Sequence, residues 1–388
     1  MRPAFPRSLP SVYSVAHPRA HPPEPPLPDT DLLARCSTIL PGHRARTPAE
    51  LYAAMGAWCE ANGVRHDVYG EGALIQDFER KVAELLGFEA AVFCISGTMT
   101  QVTALRLASM ERSRAPVALH PTSHIFVHER GNHQLLGHFD ALQIGDRNRP
   151  WQAGDIVNVP DRLAAVGLEI PMREIGGQLS NWDELQAIKA HCKARDIHLH
   201  MDGARLWEAA AGYGRPVNEI AAGFDSVYVS LYKGIGGLGG AMLAGSRDFV
   251  ARAAEWFRRQ GGNVIHRSPY IVAAAMQFDE RLAAMPDYFR RTEFLYEVLR
   301  AYPVLQVNPA RPQANMLHIH LPVDPERALA IRQELAAEHG IWLFNRINHG
   351  VLPGSSYFEL YVGDNLLAAA DARVREAVAL LAAAVSRS

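Results

Sequence analysis

The chain has few of the features that mark disulfide-rich, membrane-spanning or nucleic-acid-binding proteins. Its 388 residues include only four cysteines, which are widely spaced and form no CxxC pair, so neither a disulfide framework nor a zinc ribbon is expected: Cys36, Cys59, Cys94 and Cys192. No apolar run reaches the roughly 20 residues that a membrane span needs. A formal charge of −2 without a basic stripe gives no electrostatic case for nucleic acid. We therefore expect a cytoplasmic protein that has one large core and one smaller core.

Prolines are concentrated at the start of the chain, as in HPRAHPPEPPLPDT (17–30). Proline has no backbone N–H, so this stretch cannot form regular helix or strand ladders. We predict that residues 1–30 form an extended arm or a tail. The stretch lacks the apolar core of a signal peptide, and we do not expect it to be one.

The rest of the chain divides into two parts by its hydrophobic pattern. Strand-like and helical segments alternate from residue 31 to about 275, which predicts a mostly parallel sheet covered by helices in one large domain. Residues 276–388 contain a helical stretch, the strand-like segments MLHIHL and YFELYV, and a closing alanine-rich helix. This order predicts a small α+β domain, so the fold class is α/β with a smaller carboxyl-terminal domain.

An aspartate and a lysine each end a predicted strand. Asp202 follows IHLHM, and Lys233 follows the Val- and Tyr-rich run 226–231, with a helical pattern between them. Strand, helix, strand places both residues at the same edge of one sheet, where open α/β sheets bind ligands. An enzyme that uses pyridoxal 5′-phosphate needs a lysine amine for the cofactor's aldehyde and an acid beside its pyridine nitrogen. Asp202 and Lys233 have the right chemistry, although a salt-bridged aspartate and a solvated loop lysine would give the same spacing.

A third segment, AAVFCISGTMTQVTALRLA (90–108), changes from an apolar strand to a helix at Ser96-Gly97-Thr98. Glycine permits close approach of the backbone, Thr98 adds a hydroxyl group, and the first N–H groups of the helix point at any anion bound there. The segment predicts a phosphate site, although many such turns are only helix caps.

Together these segments resemble the L-threonine aldolase family. The resemblance covers residues 31–275 well and rests on motifs in the family's order: DVYGEG (67–72), SGTMTQ (96–101), SHIFVHERG (123–131), IGGQLS (175–180), HMDGARLWEA (200–209) and YKGIGG (232–237). The family belongs to the fold-type I pyridoxal-phosphate enzymes, together with β-eliminating lyases and aminotransferases. The resemblance therefore implies this fold, this cofactor and an amino-acid substrate, with an active site at the interface of a homodimer or homotetramer.

The resemblance also implies roles for individual residues. The cofactor would be held by Ser96, Gly97, Thr98, His124, Asp202, Lys233 and Arg267, with His124 stacked on its ring. The substrate carboxylate would be bound by Arg205, with Cys36 and Ser37 standing where the family's amino-terminal motif contributes. The catalytic groups would be Lys233, Asp202 and a histidine, His124 or His128, that accepts the proton of the substrate's β-hydroxyl group.

One departure from the family keeps the reaction open. Where a late strand of the family carries a second carboxylate-binding arginine, this chain has Glu359, which would repel the substrate's carboxylate. Three hypotheses follow: retro-aldol cleavage of a β-hydroxy amino acid to glycine and an aldehyde, β-elimination on the same scaffold, and a non-catalytic cofactor-binding protein. The intact Lys233 argues against the third.

Two further patterns have alternative interpretations. His124 and His128 would share a face if 123–132 were one helix, which suits a metal, but HExxH is absent and Glu129 would point elsewhere. Gly234, Gly236 and Gly239 satisfy GxGxxG, yet a dinucleotide site needs a helix next, whereas GAMLAGS is typical of a strand. We expect neither a metal nor a dinucleotide.

Overall fold

The structure is a computed structural model that describes residues 30–387, so the predicted proline-rich arm lies outside the described residues, apart from residue 30. The strands are β1 (Thr38–Ile39), β2 (Ala90–Cys94), β3 (Val117–Leu119), β4 (Ala141–Gln143), β5 (Ala165–Glu169), β6 (His198–Gly203), β7 (Ser226–Ser230), β8 (Ala241–Gly245), β9 (Gln306–Asn308), β10 (Met316–Leu321), β11 (Ile341–Trp342), β12 (Asn348–His349) and β13 (Ser356–Tyr361).

The α-helices are α1 (Thr30–Arg35), α2 (Pro48–Ala61), α3 (Ala73–Leu86), α4 (Gly97–Glu111), α5 (His124–His128), α6 (Asn132–Leu135), α7 (Ala153–Val157), α8 (Trp182–Ala194), α9 (Leu206–Tyr213), α10 (Val217–Ala221), α11 (Arg247–Arg259), α12 (Ser268–Ala275), α13 (Phe278–Leu299), α14 (Pro325–His339), α15 (Asp364–Ala368) and α16 (Asp371–Ser386). A short 3-10 turn covers Arg173–Ile175.

A seven-stranded sheet forms the centre of the molecule, in the order β2-β8-β7-β6-β5-β3-β4. Strand β8 runs antiparallel to both of its neighbours, and the other paired strands are parallel. Strands β6, β7 and β8 are buried along their whole length, as a sheet covered on both faces requires. This arrangement confirms the predicted α/β class with a mostly parallel sheet.

Strand register aligns the carboxyl ends of the parallel strands. Glu169 of β5 lies opposite Asp202 of β6, and Asp202 lies opposite Tyr228 of β7. Strand β2 ends at Cys94, just before helix α4, and β7 ends three residues before Lys233. The chemical groups that follow these strands therefore meet at one edge of the sheet.

A smaller antiparallel sheet, in the order β12-β13-β10-β9, forms the carboxyl-terminal part. Burial alternates along β13, so that Ser356, Phe358 and Leu360 are buried and the residues between them lie on the other face. That face meets the large sheet's edge, because the hydroxyl of Tyr361 donates to Glu208 Oε1 at 3.2 Å and Glu359 pairs with Arg173.

The first described residues contact the carboxyl-terminal part of the chain. Strand β1 pairs in parallel with β11, Gly42 bridges to Val362, and α1 packs on α14. The predicted domain boundaries stay a prediction, and this packing places residues 30–42 beside the elements of the predicted small domain. Within residues 30–387, no helix is long and apolar enough to cross a membrane.

Candidate active site

A cleft opens at the carboxyl edge of the large sheet. Ten residues line this cleft: His124, His128, Glu169, Pro171, Arg173, Glu174, Asp202, Ala204, Arg205 and Lys233. The structure thus brings together five of the residues that the sequence singled out, from three separate segments, and it adds others that the sequence did not indicate.

Asp202 is buried at the end of β6, and its two oxygens are held separately. Gln101 Nε2 donates to Oδ2 at 2.8 Å, and the N–H of Ala204 donates to Oδ1 at 3.1 Å. Gln101 lies one turn inside α4 and is itself buried. The sequence analysis missed Gln101, although its position four residues after Gly97 places it on the same side of the helix as the predicted phosphate turn.

Lys233 follows β7 in a glycine-rich loop. Burial and the neighbouring Arg205 lower the pKa of its amine to about 8. Gly234 allows the buried Glu208 to approach the loop, since a Cβ at Gly234 would lie 2.5 Å from Glu208 Oε1. The loop continues into strand β8, which confirms the predicted strand after the glycines in place of the helix that a dinucleotide turn needs.

Glu169, at the end of β5, is a buried acid beside Asp202 that the sequence analysis missed. Its Oε1 accepts the N–H of Arg173 at 3.0 Å, while its Oε2 is buried without a partner among the described residues. Burial, and then the Asp202 carboxylate, raise the pKa of Glu169 to about 8. Only the β5–β6 register could have revealed this pairing of two acids.

The predicted phosphate turn has the expected geometry. Ser96 caps α4, its Oγ accepting the N–H of Met99 at 3.2 Å, and Gly97 opens the helix. A Cβ at residue 97 would lie 2.1 Å from the hydroxyl oxygen of Tyr228, so only glycine fits here. Thr98 is exposed at the turn. The first N–H groups of α4 are therefore available to an anion.

Arg267 is held by the segment that carries the DVYGEG motif, and its charge acts on Cys94, two residues before this turn. Its backbone N–H donates to Asp67 Oδ1 at 2.7 Å, and its guanidinium donates to Asn263 Oδ1 at 2.6 Å. The guanidinium packs against Gly70, where a Cβ would lie 2.7 Å from it. Within the described chain its buried Nε has no partner. A partly buried guanidinium with an unused Nε donor suits a phosphate group.

The two histidines of SHIFVHERG lie in the cleft, with ring centroids 5.1 Å apart. Residues 123–132 do not form one helix. Helix α5 ends at His128 and α6 begins at Asn132, because the backbone turns at Gly131, where φ is 74°. The expectation that Glu129 points away was wrong: Glu129 lies beyond the end of α5, and its Oε1 is 3.1 Å from His124 Nδ1. Among residues 30–387, no group of three His, Cys, Asp or Glu side chains is placed to hold a metal ion.

His128 pairs with a different carboxylate. Its Nε2 lies 2.8 Å from Glu174 Oε1, and Arg173 also contacts this carboxylate at 3.1 Å. Burial acts to raise the pKa of Glu174, but His128 and Arg173 together lower it. Glu174 is a further residue that the sequence analysis missed, because its role depends on the turn that follows β5.

The cleft contains two arginines in opposite electrostatic situations. Arg205 precedes helix α9, and its Nε is buried without a hydrogen-bond partner in the part of the chain that the structure describes. Arg173 is ion-paired through Nε to Glu359 Oε2 at 2.7 Å. Burial acts to raise the pKa of Glu359, but His318, Arg173 and Arg205 lower it to about 2. Glu359 is therefore an ionised carboxylate that is paired with Arg173, which also contacts Glu174.

Cys36 and Ser37 are not brought to the cleft. The Cys36 thiol donates to the carbonyl of Leu32 at 3.3 Å, and Ser37 Oγ lies 3.5 Å from the carbonyl oxygen of Gly340. The pairing of β1 with β11 places both residues beside the end of α14. Their predicted contact with substrate has no support in this geometry, because the pairing directs the segment toward the small-domain helices.

The residues present fit pyridoxal 5′-phosphate. An amine with a lowered pKa, a buried carboxylate and a helix amino terminus beside an arginine are the three groups that this cofactor requires. Lys233 would bond its aldehyde, Asp202 would face its ring nitrogen, and the turn 96–98 with Arg267 would hold its phosphate.

Comparison with known proteins agrees with this geometry. The family model described as beta-eliminating lyase matches residues 47–322. The probable low-specificity L-threonine aldolase 2 of Arabidopsis thaliana is 30% identical over 68% of this chain and 77% of its own length.

Solved structures give the same result. A structure from Listeria monocytogenes EGD-E, provisionally described as an L-allo-threonine aldolase, is 35% identical with a TM-score of 0.84, covering 92% of this chain and 99% of its own. Serine palmitoyltransferase of Sphingomonas wittichii, at 17% identity and a TM-score of 0.65 over 90% of this chain and 87% of its own, shares the fold alone. The chain belongs to the β-eliminating lyase family, within its threonine aldolase group, and is a fold-type I enzyme whose cofactor is pyridoxal 5′-phosphate.

Proposed function

We infer that the protein cleaves a β-hydroxy-α-amino acid between Cα and Cβ, giving glycine and an aldehyde. The observation that carries this proposal is the presence, in one cleft, of Lys233, the unpartnered guanidinium of Arg205 and a histidine held by a carboxylate. These groups meet the needs of the reaction: attachment of the cofactor, binding of the α-carboxylate, and removal of a proton from the β-hydroxyl group.

The bound cofactor would supply the electron sink for the bond that breaks. Asp202 keeps the cofactor's ring nitrogen protonated, and Gln101 fixes the carboxylate in place. Arg205 binds the substrate's carboxylate, because a planar guanidinium matches its two oxygens and no other group satisfies its Nε among residues 30–387.

His128 is the proposed base for the β-hydroxyl proton. In the tautomer whose Nε2–H donates to Glu174, the other ring nitrogen, Nδ1, is free to accept a proton. Glu174 then stabilises the protonated ring. His124, whose Nδ1 faces Glu129, is the second candidate and is also the ring that would stack on the cofactor.

Product analysis tests this proposal. The purified enzyme, loaded with cofactor, is given L-threonine, L-phenylserine or L-serine, and glycine, aldehyde, pyruvate and ammonia are quantified. Glycine and aldehyde in equal amounts from the first two substrates support retro-aldol cleavage. Pyruvate and ammonia from L-serine without glycine from L-threonine would assign the chain to β-elimination instead, and no product from any of them would contradict both.

We also propose a homodimer or homotetramer in the cytoplasm. None of the side chains of α2 is buried, although the helix carries Tyr52, Met55 and Trp58. Tyr232 and Leu238, which flank Lys233 in its loop, are also exposed. Apolar surface of this extent, part of it in the loop of Lys233, favours cover by a second copy of the chain. The four cysteines are free thiols, as a reducing compartment allows.

Light scattering after gel filtration tests the assembly. Tyr52, which is 61% exposed, is a suitable position. Tyr52→Arg should lower the measured mass toward that of one chain, because a buried charge disfavours the interface. A wild-type protein of one-chain mass at micromolar concentration would contradict the proposal.

A further inference from the structure

The outer wall of the cleft has no assigned task once the cofactor and the substrate carboxylate are placed. Lys233, Asp202 and the turn 96–98 are assigned to the cofactor, and Arg205 to the α-carboxylate. The wall that is left includes His128, Arg173 and Glu174. Since His128 is the proposed acceptor of the β-hydroxyl proton, the side chain on the same carbon atom must face this wall.

The small sheet completes this wall from outside. Glu359 reaches from β13 to Arg173, at 2.7 Å, and His318 of β10 lies directly opposite Glu359 in the sheet. Tyr357 lies on the same face of β13, two residues away, and its hydroxyl is close enough for the charges of Glu174, Arg173 and Glu359 to act on it. Three polar or charged side chains of the small sheet, those of His318, Tyr357 and Glu359, thus lie around Arg173 at the outside of the cleft.

The charges of this cluster do not cancel. Arg173 carries one positive charge and contacts two carboxylates, Glu174 and Glu359. The neighbouring histidines are charged only when they are protonated, and Tyr357 has a pKa above its ordinary value because burial disfavours its ionised form. With neutral histidines the cluster has one excess negative charge, because Arg173 faces both Glu174, through Nη1 at 3.1 Å, and Glu359, through Nε at 2.7 Å.

This excess negative charge disfavours a ligand with an acidic side chain, which requires a positive charge at the wall. Among residues 30–387 the buried Nε of Arg205 has no partner and can bind a carboxylate, whereas Arg173 already forms ion pairs with Glu359 and Glu174. A second carboxylate on the ligand's side chain would therefore meet excess negative charge. Like charges about 6–8 Å apart in a partly screened site disfavour binding by roughly 10- to 100-fold.

We propose that Glu359, through its ion pair with Arg173, is a specificity determinant that excludes amino acids with an acidic side chain and admits neutral or hydrogen-bond-donating side chains. The inference rests on the proposed function for its assignment of the cleft wall to the substrate's side chain. It does not require turnover, because discrimination at this wall applies to binding as well.

Binding of two isosteric amino acids tests the proposal. L-Aspartate and L-asparagine differ in side-chain charge but hardly in shape, and their Kd values can be measured on the cofactor-loaded enzyme from the change in visible absorbance. We expect the wild-type enzyme to bind L-asparagine at least about tenfold more tightly than L-aspartate. In Glu359→Gln, which keeps the shape and removes the charge, the ratio should fall to within about threefold.

Two further variants separate this role from a structural one. Glu376→Gln makes the same substitution at a carboxylate that is ion-paired with Arg373 on α16, and it should keep the wild-type ratio. Glu359→Asp keeps the charge on a shorter side chain and should retain most of the discrimination, even if its melting temperature falls.

Each outcome of the experiment is decisive. The proposal would be overturned by equal Kd values for the two amino acids in the wild type. It would also be overturned by a Kd ratio in Glu359→Gln that matches the wild type. Glu359 would then have only a structural role through its ion pair with Arg173. A protein that forms no glycine from L-threonine but shows the expected Kd ratios would contradict the proposed function and support the specificity role.

Discussion

The carboxyl edge of the large sheet and the polar face of the small sheet contribute to one cleft in different ways. At the large-sheet edge, Glu169 and Asp202 are fixed by parallel register, and Lys233 follows the next strand. At the small-sheet face, Glu359 and Tyr361 project from an antiparallel strand and reach the edge through single contacts.

This difference indicates that the two sheets have different roles in the cleft. The large-sheet groups are buried and held by neighbouring strands, so their positions are set before a ligand arrives, as cofactor chemistry requires. The small-sheet groups contact the cleft wall from outside. Substitutions at the edge should therefore abolish the reaction, whereas substitutions on the small-sheet face should change which ligand is preferred.

We expect the largest effect from a substitution at the carboxyl edge of the large sheet. Lys233→Ala removes the amine that bonds the cofactor, and turnover should fall by about 10⁴-fold or more. Lys193→Ala, at an exposed lysine in the last turn of α8, is the matched control and should keep wild-type turnover. Glycine formation from L-threonine is the measurement, and near-normal activity in Lys233→Ala would refute the assignment.

A smaller loss is expected at the neighbouring strand. Asp202→Asn keeps an acceptor for Gln101 but no longer favours a protonated ring nitrogen, so kcat should fall by about 10²-fold. Gln101→Ala leaves the carboxylate and removes only its support, so its loss should be smaller. Equal losses in the two variants would mean that Asp202 acts through its position alone.

The pH dependence of cofactor loading sharpens the assignment of Lys233. Its pKa is lowered to about 8, so the reactive neutral amine becomes more abundant as the pH rises toward 8 and then levels off. The rate at which apoenzyme regains cofactor absorbance should rise about tenfold per pH unit between pH 6 and 7.5 and flatten above pH 8. A rate that continues to rise up to pH 10 would indicate an ordinary lysine pKa.

The smallest expected effect concerns stability at the same edge. Glu169 has a pKa raised to about 8 in the folded protein, so folding holds its proton, and this group lowers stability as the pH rises from about 5 to 8. Glu169→Gln removes that cost and keeps an acceptor for the N–H of Arg173. The variant apoenzyme should be more stable than wild type by at least about 1 kcal/mol at pH 8 and similar to it at pH 4.5.

Thermal or urea unfolding at the two pH values measures this difference. Since only the dependence on pH is diagnostic, a gain of equal size at pH 4.5 and pH 8 would assign it to packing instead. Glu376→Gln, at an exposed ion pair, provides the reference for a substitution without a buried charge.

The sequence indicated much of the cleft because the chemistry lies at the ends of strands. Asp202, Lys233 and Ser96-Gly97-Thr98 each follow a short apolar run, and apolar runs of this kind are readable without a structure. The same reasoning located the strand that carries Glu359, whose described bounds are Ser356–Tyr361. It could not find Gln101, Glu169, Arg173 or Glu174, since none of them stands in a pattern that distinguishes it from an ordinary polar residue.

By itself the sequence determined the α/β class, the position of the strand ends and the type of chemistry, because periodicity and local turn residues act over a few positions. Only the tertiary structure decided which charges meet. Glu169 lies beside Asp202 through strand register, and Glu359 of the small sheet forms an ion pair with Arg173 in the turn after β5. The expected repulsion of the substrate's carboxylate by Glu359 stays a prediction, and only the structure shows that Glu359 pairs with Arg173. The energy of a charge depends on its neighbours in space, and those neighbours lie far apart in the chain.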